Sequence, residues 1–286
     1  MAYVLTLAGA LGLLIGSFLN VVIHRLPKIM EREWQQQHDE YQAGRDHKQT
    51  DAKAQQPEPQ RPREAQLPYN LIIPRSHCPH CRRPIAVMEN IPVLSFILQA
   101  GRCRGCAAQI SWRYPLVEIL TGAFFCLVVW RFGPGVAALG GLVLVCSLVA
   151  LTFIDLETTL LPDIMTLPLL WLGLLFNVWG FHAPLADAVI GAVSGYLLLW
   201  SIYWIFKLLT GKEGMGYGDF KLLAALGAWL GWMALPGILF FASLTGAVVG
   251  GVMAWRARSG RYTPIPFGPY LSAAGLVSLF FGNLLL

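Results

Sequence analysis

Charge is scarce in this sequence. Asp, Glu, Lys and Arg make up 13% of its 286 residues, and hydrophobic residues reach 56%, against about 25% and roughly 45–50% in soluble domains. That imbalance excludes an ordinary soluble enzyme. No GxGxxG follows a strand-like run, so no nucleotide can be placed through a Rossmann pattern. Also missing is an internal repeat long enough for the inverted halves of a transporter. The N-terminal apolar run has neither the basic leading region nor the small-residue cleavage site of a secretory signal. Polar His24 and Arg25 follow it, so it reads as a retained first span.

What the chain does have is a succession of apolar runs near the roughly 20 residues needed to cross a bilayer as a helix. They fall near residues 2–23, 114–131, 136–155, 164–181, 186–206, 220–235, 237–255 and 268–285. The expected fold is therefore an all-α polytopic membrane protein with about eight transmembrane helices and a small cytoplasmic zinc-ribbon-like domain. The 220–235 run is short and contains glycine, which predicts a tilted or partial span. Residues 24–113 carry 14 of the 21 Lys and Arg and 9 of the 16 Asp and Glu, a net +5 that equals the charge of the whole chain. Lys and Arg accumulate in cytoplasmic loops, which places this segment in the cytoplasm and both termini in the periplasm.

This reading divides the chain into a first transmembrane helix (1–23), a cytoplasmic polar linker (24–66), a four-cysteine zinc domain (67–113) and a membrane-embedded core of about seven helices (114–286). Residues 31–66 are too poor in aliphatic side chains to bury a core; part of them can form a short polar helix, and their proline-containing end is a linker.

Four of the six cysteines form Cys78-Pro-His-Cys81 and Cys103-Arg-Gly-Cys106. Two CxxC knuckles at this separation present four thiolates to one tetrahedral Zn2+, with no position left open, so the metal is structural. A disulfide is disfavoured in a reducing compartment, and a lone redox dithiol leaves the second pair without a role. His77 and His80, beside the first knuckle, could replace a cysteine as ligand or else stand as its neighbours, and Cys126 and Cys146 read as small buried residues.

Outside the loop only Glu118, Asp155, Glu157, Asp163, Asp187, Glu213 and Asp219 are acidic. Ionisable groups at membrane depth are costly, which marks each as a functional candidate. Asp155 ends one span and Asp219 opens another at the same face. Two apposed carboxyls, one ionised to activate water and one protonated to polarise a carbonyl, are what an aspartic protease needs. The alternatives stay open: Asp155 and Asp219 as caps, ion pairs or proton relays of a transporter, Glu157 beside lipid headgroups or a basic partner, and Asp163 as a helix cap.

Several strings, in order along the chain, together resemble the bacterial type IV prepilin peptidases. They are Gly16-Ser17-Phe18-Leu19-Asn20-Val21-Val22-Ile23-His24-Arg25-Leu26-Pro27, the paired knuckles, Arg113-Tyr114-Pro115-Leu116-Val117-Glu118, Asp155 with Leu161-Pro162-Asp163, Gly214 to Lys221, and Pro264-Ile265-Pro266-Phe267-Gly268-Pro269. The resemblance implies a GxGD aspartic protease of the bacterial inner membrane, multi-pass, with its active site facing the cytoplasm. Such an enzyme removes the basic leader from type IV prepilins and type II secretion pseudopilins. It also implies N-methylation of the new N-terminus with S-adenosylmethionine. Its catalytic pair maps onto Asp155 and Asp219, and its zinc ligands onto Cys78, Cys81, Cys103 and Cys106. The implied partners are these substrates and the lipid bilayer, with no nucleic acid. For the methyl donor, Gly101 and the first-span motif are the candidates: Asn20, His24 and Arg25 contact cofactor or leader, or else Asn20 bonds between helices and Arg25 anchors the span at the headgroups.

Overall fold

The structure, a computed structural model, describes residues 1–50, 69–256 and 266–285. Among these the chain is all-helical, with no strand. Every expected apolar run is a helix: α1 (Ala2–Thr50), α3 (Arg113–Phe132), α4 (Val136–Thr158), α5 (Asp163–Asn177), α6 (Leu185–Thr210), α7 (Tyr217–Leu230), α8 (Ala234–Arg256) and α9 (Gly268–Leu285). A short α2 (Leu94–Leu98) lies in the cysteine-bearing segment. Five helices, α1, α3, α4, α6 and α8, are long and apolar enough to cross a membrane. Large side chains such as Phe240, Leu244 and Val248 on α8 point away from the protein, as lipid-facing residues do.

One boundary differs from the sequence reading. The first helix does not stop near residue 23 but continues to Thr50 through Pro27. Residues 31–50 are dominated by Glu, Gln, Arg, Lys and other good helix formers, and one internal proline removes a single backbone bond. The rest of the expected linker, 51–66, lies outside the described residues.

Glycines on α1 bring α3 into backbone contact. A Cβ on Gly12 would lie 2.8 Å from the Gly122 Cα, and one on Gly16 would lie 2.7 Å from the Glu118 Cα. Small residues at helical spacing give this close approach in membranes, and it presses Asn20 against α3, where its Nδ2 donates to the Tyr114 carbonyl at 3.0 Å.

At 14 residues, α7 rises about 21 Å, short of the roughly 30 Å hydrocarbon core. It is buried on nearly every side, with Phe220 and Leu222 through Trp229 shielded by the surrounding helices. Its C-terminal end is held by Asn177, a fully buried residue whose Nδ2 donates to the Ala228 and Trp229 carbonyls and whose Oδ1 accepts the His182 and Ala183 N–H groups. Asn177→Leu strands these four backbone groups, each costing about 1–3 kcal/mol when buried without a partner. The expected result is a loss of at least about 3 kcal/mol, read as a lowered unfolding midpoint of the purified protein in micelles; an unchanged midpoint would contradict this role.

Candidate functional site

The last turn of α4 and the first turn of α7 deliver Asp155 and Asp219 to one spot. α4 ends where Thr159 takes a left-handed conformation, and α7 opens from Gly216 with Asp219 in its first turn. Leu161 packs between them. A Cβ on Gly218 would sit 2.6 Å from the Leu161 Cβ, and a Cβ on Gly268 would sit 2.6 Å from Asp155 Oδ2 and 3.1 Å from Leu161 Cδ1. Glycine is therefore required at 218 and 268 for the helix starts to reach the acids. The first N–H of α9, from Gly268, donates to Asp155 Oδ2 at 2.9 Å, an anion-at-helix-start arrangement.

Both acids are buried, Asp155 at 4% and Asp219 at 7% exposure. Among the described residues neither forms an ion pair, and Asp219 Oδ1 has no hydrogen-bond partner. Their competitors are committed elsewhere. Exposed Glu157 is ion-paired with Arg113, and exposed Asp163 accepts from Lys221 Nζ at 2.6–2.7 Å. Asp163 makes no side-chain cap, because it stands one residue inside the helix that Pro162 begins.

The four predicted cysteines also converge. Their sulfurs lie within 4.8 Å of one another, with Cys78 Sγ to Cys106 Sγ at 3.8 Å and Cys81 Sγ to Cys103 Sγ at 4.0 Å. A tetrahedron with Zn–S bonds of about 2.3 Å has edges of roughly 3.8 Å, so the donor set fits zinc. The knuckles are built alike: Cys78 N–H donates to Arg83 and Arg82 N–H returns to Cys78, while Cys103 N–H donates to Ala108 and Ala107 N–H returns to Cys103. Arg82 and Ala107 each adopt positive φ to close the turn. Backbone hydrogen bonds from Cys81 and His80 hold the Cys78 thiol down at about 6. His77 and His80 stay exposed and outside the cluster.

Residues 10–132 match the Bacterial Peptidase A24 N-terminal domain, and residues 142–251 match the Type IV leader peptidase family. A prepilin leader peptidase/N-methyltransferase of Aeromonas salmonicida (strain A449) is 56% identical over 95% of this chain and 88% of its own length. Proteins of that name from Burkholderia pseudomallei (strain 1026b) and Pseudomonas aeruginosa are 51% and 50% identical, over 98% and 96% of this chain and 86% and 89% of theirs. The chain belongs to the type IV leader peptidase family. No solved structure matches it.

In this leader peptidase family member the first-span candidates line a cavity of about 420 Å³ between α1, the start of α3 and the cysteine module. Asn20, His24 and Arg25 all reach it. Arg25 does not anchor at headgroups: it is 7% exposed and donates to the Asn70 and Pro74 carbonyls at 3.0 and 2.6 Å, tying the module to α1. Gly101 is not in the wall. Its φ of +67° and the Phe96 ring, 3.1 Å from where a Cβ would stand, give it the task of letting Phe96 line the cavity. Sequence reasoning missed Gly268 as the partner of Asp155 and Asn177 as the lock on α7. The Pro-Phe-Gly-Pro string marked the first, and only the burial of an amide in an apolar helix marked the second.

Proposed function

We propose that this protein is a multi-pass inner-membrane enzyme that cleaves the basic leader from type IV prepilins and type II pseudopilins and then N-methylates the new N-terminus. The observation that carries the peptidase half is the pair of buried acids, without an ion pair among the described residues, brought to one face by three helix ends. The family membership supports both halves.

Asp155 and Asp219 are the catalytic pair. Two carboxyls in one buried site hold a single proton between them. The ionised one takes a proton from water as the water oxygen attacks the scissile carbonyl, and the other donates its proton to the carbonyl oxygen. Collapse of the tetrahedral intermediate releases the new amine, which takes up a proton as the pair returns to its starting state. The net +5 of residues 24–113 supports placing this face, and the active site, in the cytoplasm with both termini periplasmic. There a prepilin naturally rests, its leader in water and its apolar helix among the spans.

Cys78, Cys81, Cys103 and Cys106 would hold a structural zinc that cross-links the two knuckles. S-adenosylmethionine supplies an electrophilic methyl group to the new amine. The chain's own part is to hold donor and amine in line, since positioning supplies most of the help in such a displacement.

Intact-mass analysis of a prepilin after incubation with the purified full-length protein and S-adenosylmethionine tests both activities. The expected product has lost its leader and gained one methyl group. A prepilin of unchanged mass would sink the peptidase reading, and a shortened, unmethylated product would sink the methyltransferase half.

A further inference from the structure

Neither Asp155 nor Asp219 lines the cavity beside α1, which is built with two buried acceptors of its own. Its volume of about 420 Å³ lies in the range of small-molecule sites, roughly 300–1,000 Å³. Glu118 is 8% exposed and has no ion pair among the described residues; Val93 N–H donates to its Oε2 at 2.8 Å. Asn20 is 4% exposed. Its amide nitrogen is spent on the Tyr114 carbonyl, and its Oδ1 has no hydrogen-bond partner among the described residues. A buried carboxylate without a cation and a buried carbonyl without a donor are both costly. Both line the same cavity, where a ligand bearing positive charge and donors offsets both costs.

The other lining groups narrow the ligand further. Phe96 and Tyr114 supply aromatic surface, and Arg83 and Arg104 lie toward the module. Those guanidiniums oppose a polybasic leader peptide but tolerate a compact molecule with one cationic end, a carboxylate and a flat ring. Arg113, next to Tyr114, is ion-paired with Glu157, two residues beyond Asp155. The cavity and the acid pair therefore share one face of the protein, and a newly made N-terminus passes from one to the other without crossing the bilayer.

We propose that this cavity binds S-adenosylmethionine, with Glu118 and the Asn20 side-chain oxygen receiving its cationic sulfonium end and Phe96 and Tyr114 flanking its purine. The inference rests on the reading of the chain as an N-methyltransferase. In the transfer the unprotonated amine attacks the methyl carbon. An N–C bond forms, the C–S bond breaks with its electron pair left on sulfur as a neutral thioether, and the product amine gives its extra proton to water.

Binding to the full-length protein in micelles, measured calorimetrically with S-adenosylmethionine, S-adenosylhomocysteine and sinefungin, tests the assignment. The first and third carry a positive charge where the second has a neutral sulfur. Glu118→Gln is expected to weaken the two charged ligands at least roughly tenfold, the loss of a charge-assisted contact, and the neutral one less than about twofold. Photocrosslinking of radiolabelled S-adenosylmethionine to the wild-type protein is expected to label peptides containing Asn20 or Tyr114, and this reads the site even if the variant fails to fold. Equal effects on all three ligands, or label confined to peptides containing Asp219, would overturn the cavity assignment. No binding to the wild-type protein would instead overturn the methyltransferase reading beneath it.

Discussion

Asp155→Asn and Asp219→Asn are each expected to reduce leader cleavage by at least about 10³-fold, since a positioned acid or base typically contributes roughly 10²–10⁴-fold and neither acid has a substitute nearby. The substitutions separate chemistry from folding. An asparagine at 155 still offers an oxygen to the Gly268 N–H, and Asp219 Oδ1 has no hydrogen bond to lose among the described residues. The neighbouring carboxylates are engaged by Arg113 and Lys221 and cannot move in. Cleavage of a prepilin by purified variants, alongside their thermal unfolding, is the measurement. A correctly folded variant with near-normal turnover removes its residue from the pair.

The second large effect belongs to the cysteine module. Between Tyr69 and Trp112 only Cys78 is buried, so no hydrophobic core holds this segment together. Its order depends on the knuckles and on ties such as the Arg83–Glu89 ion pair at 2.9 Å, an exposed contact of small worth. Structural zinc sites contribute roughly 10–16 kcal/mol of apparent binding energy to folding, comparable with the roughly 5–15 kcal/mol stability of a whole domain. Cys103→Ser is therefore expected to abolish stoichiometric zinc, measured by elemental analysis, and to open residues 69–112 to limited proteolysis while the helical core survives. Chelation of the wild-type protein should impair activity only as the module opens. Rapid inhibition with the module still protease-resistant, reversed by added zinc, would assign the metal a catalytic role instead.

Much of this protein is written locally in its sequence. Hydrophobic runs fix where helices lie, because a bilayer-length apolar segment satisfies its backbone only within itself. CxxC spacing marks the four-cysteine cluster because two thiolates three residues apart can reach one ion. Scarcity singles out the acids, since the seven carboxyls outside residues 24–113 stand among so many apolar residues that each needs a reason. The extension of α1 to Thr50 was less visible, as a polar segment with helix-forming residues and a proline reads equally as a linker.

What the tertiary structure decided are relations between distant residues. Gly268 lies 113 residues from Asp155 and Asn177 lies 51 from Ala228, and no periodicity links either pair. The same holds for Arg25, whose charge suggested a headgroup anchor until burial turned it toward the Asn70 and Pro74 carbonyls. Composition and spacing determined that this chain is an all-α membrane protein with a four-cysteine cluster, because solvent preference and ligand spacing act over a few residues. Packing decided that Glu157 and Asp163 are engaged elsewhere while Asp155 and Asp219 are not, and that Glu118 has no cation among the described residues, because a charge's role depends on the groups that folding places within a few ångströms of it.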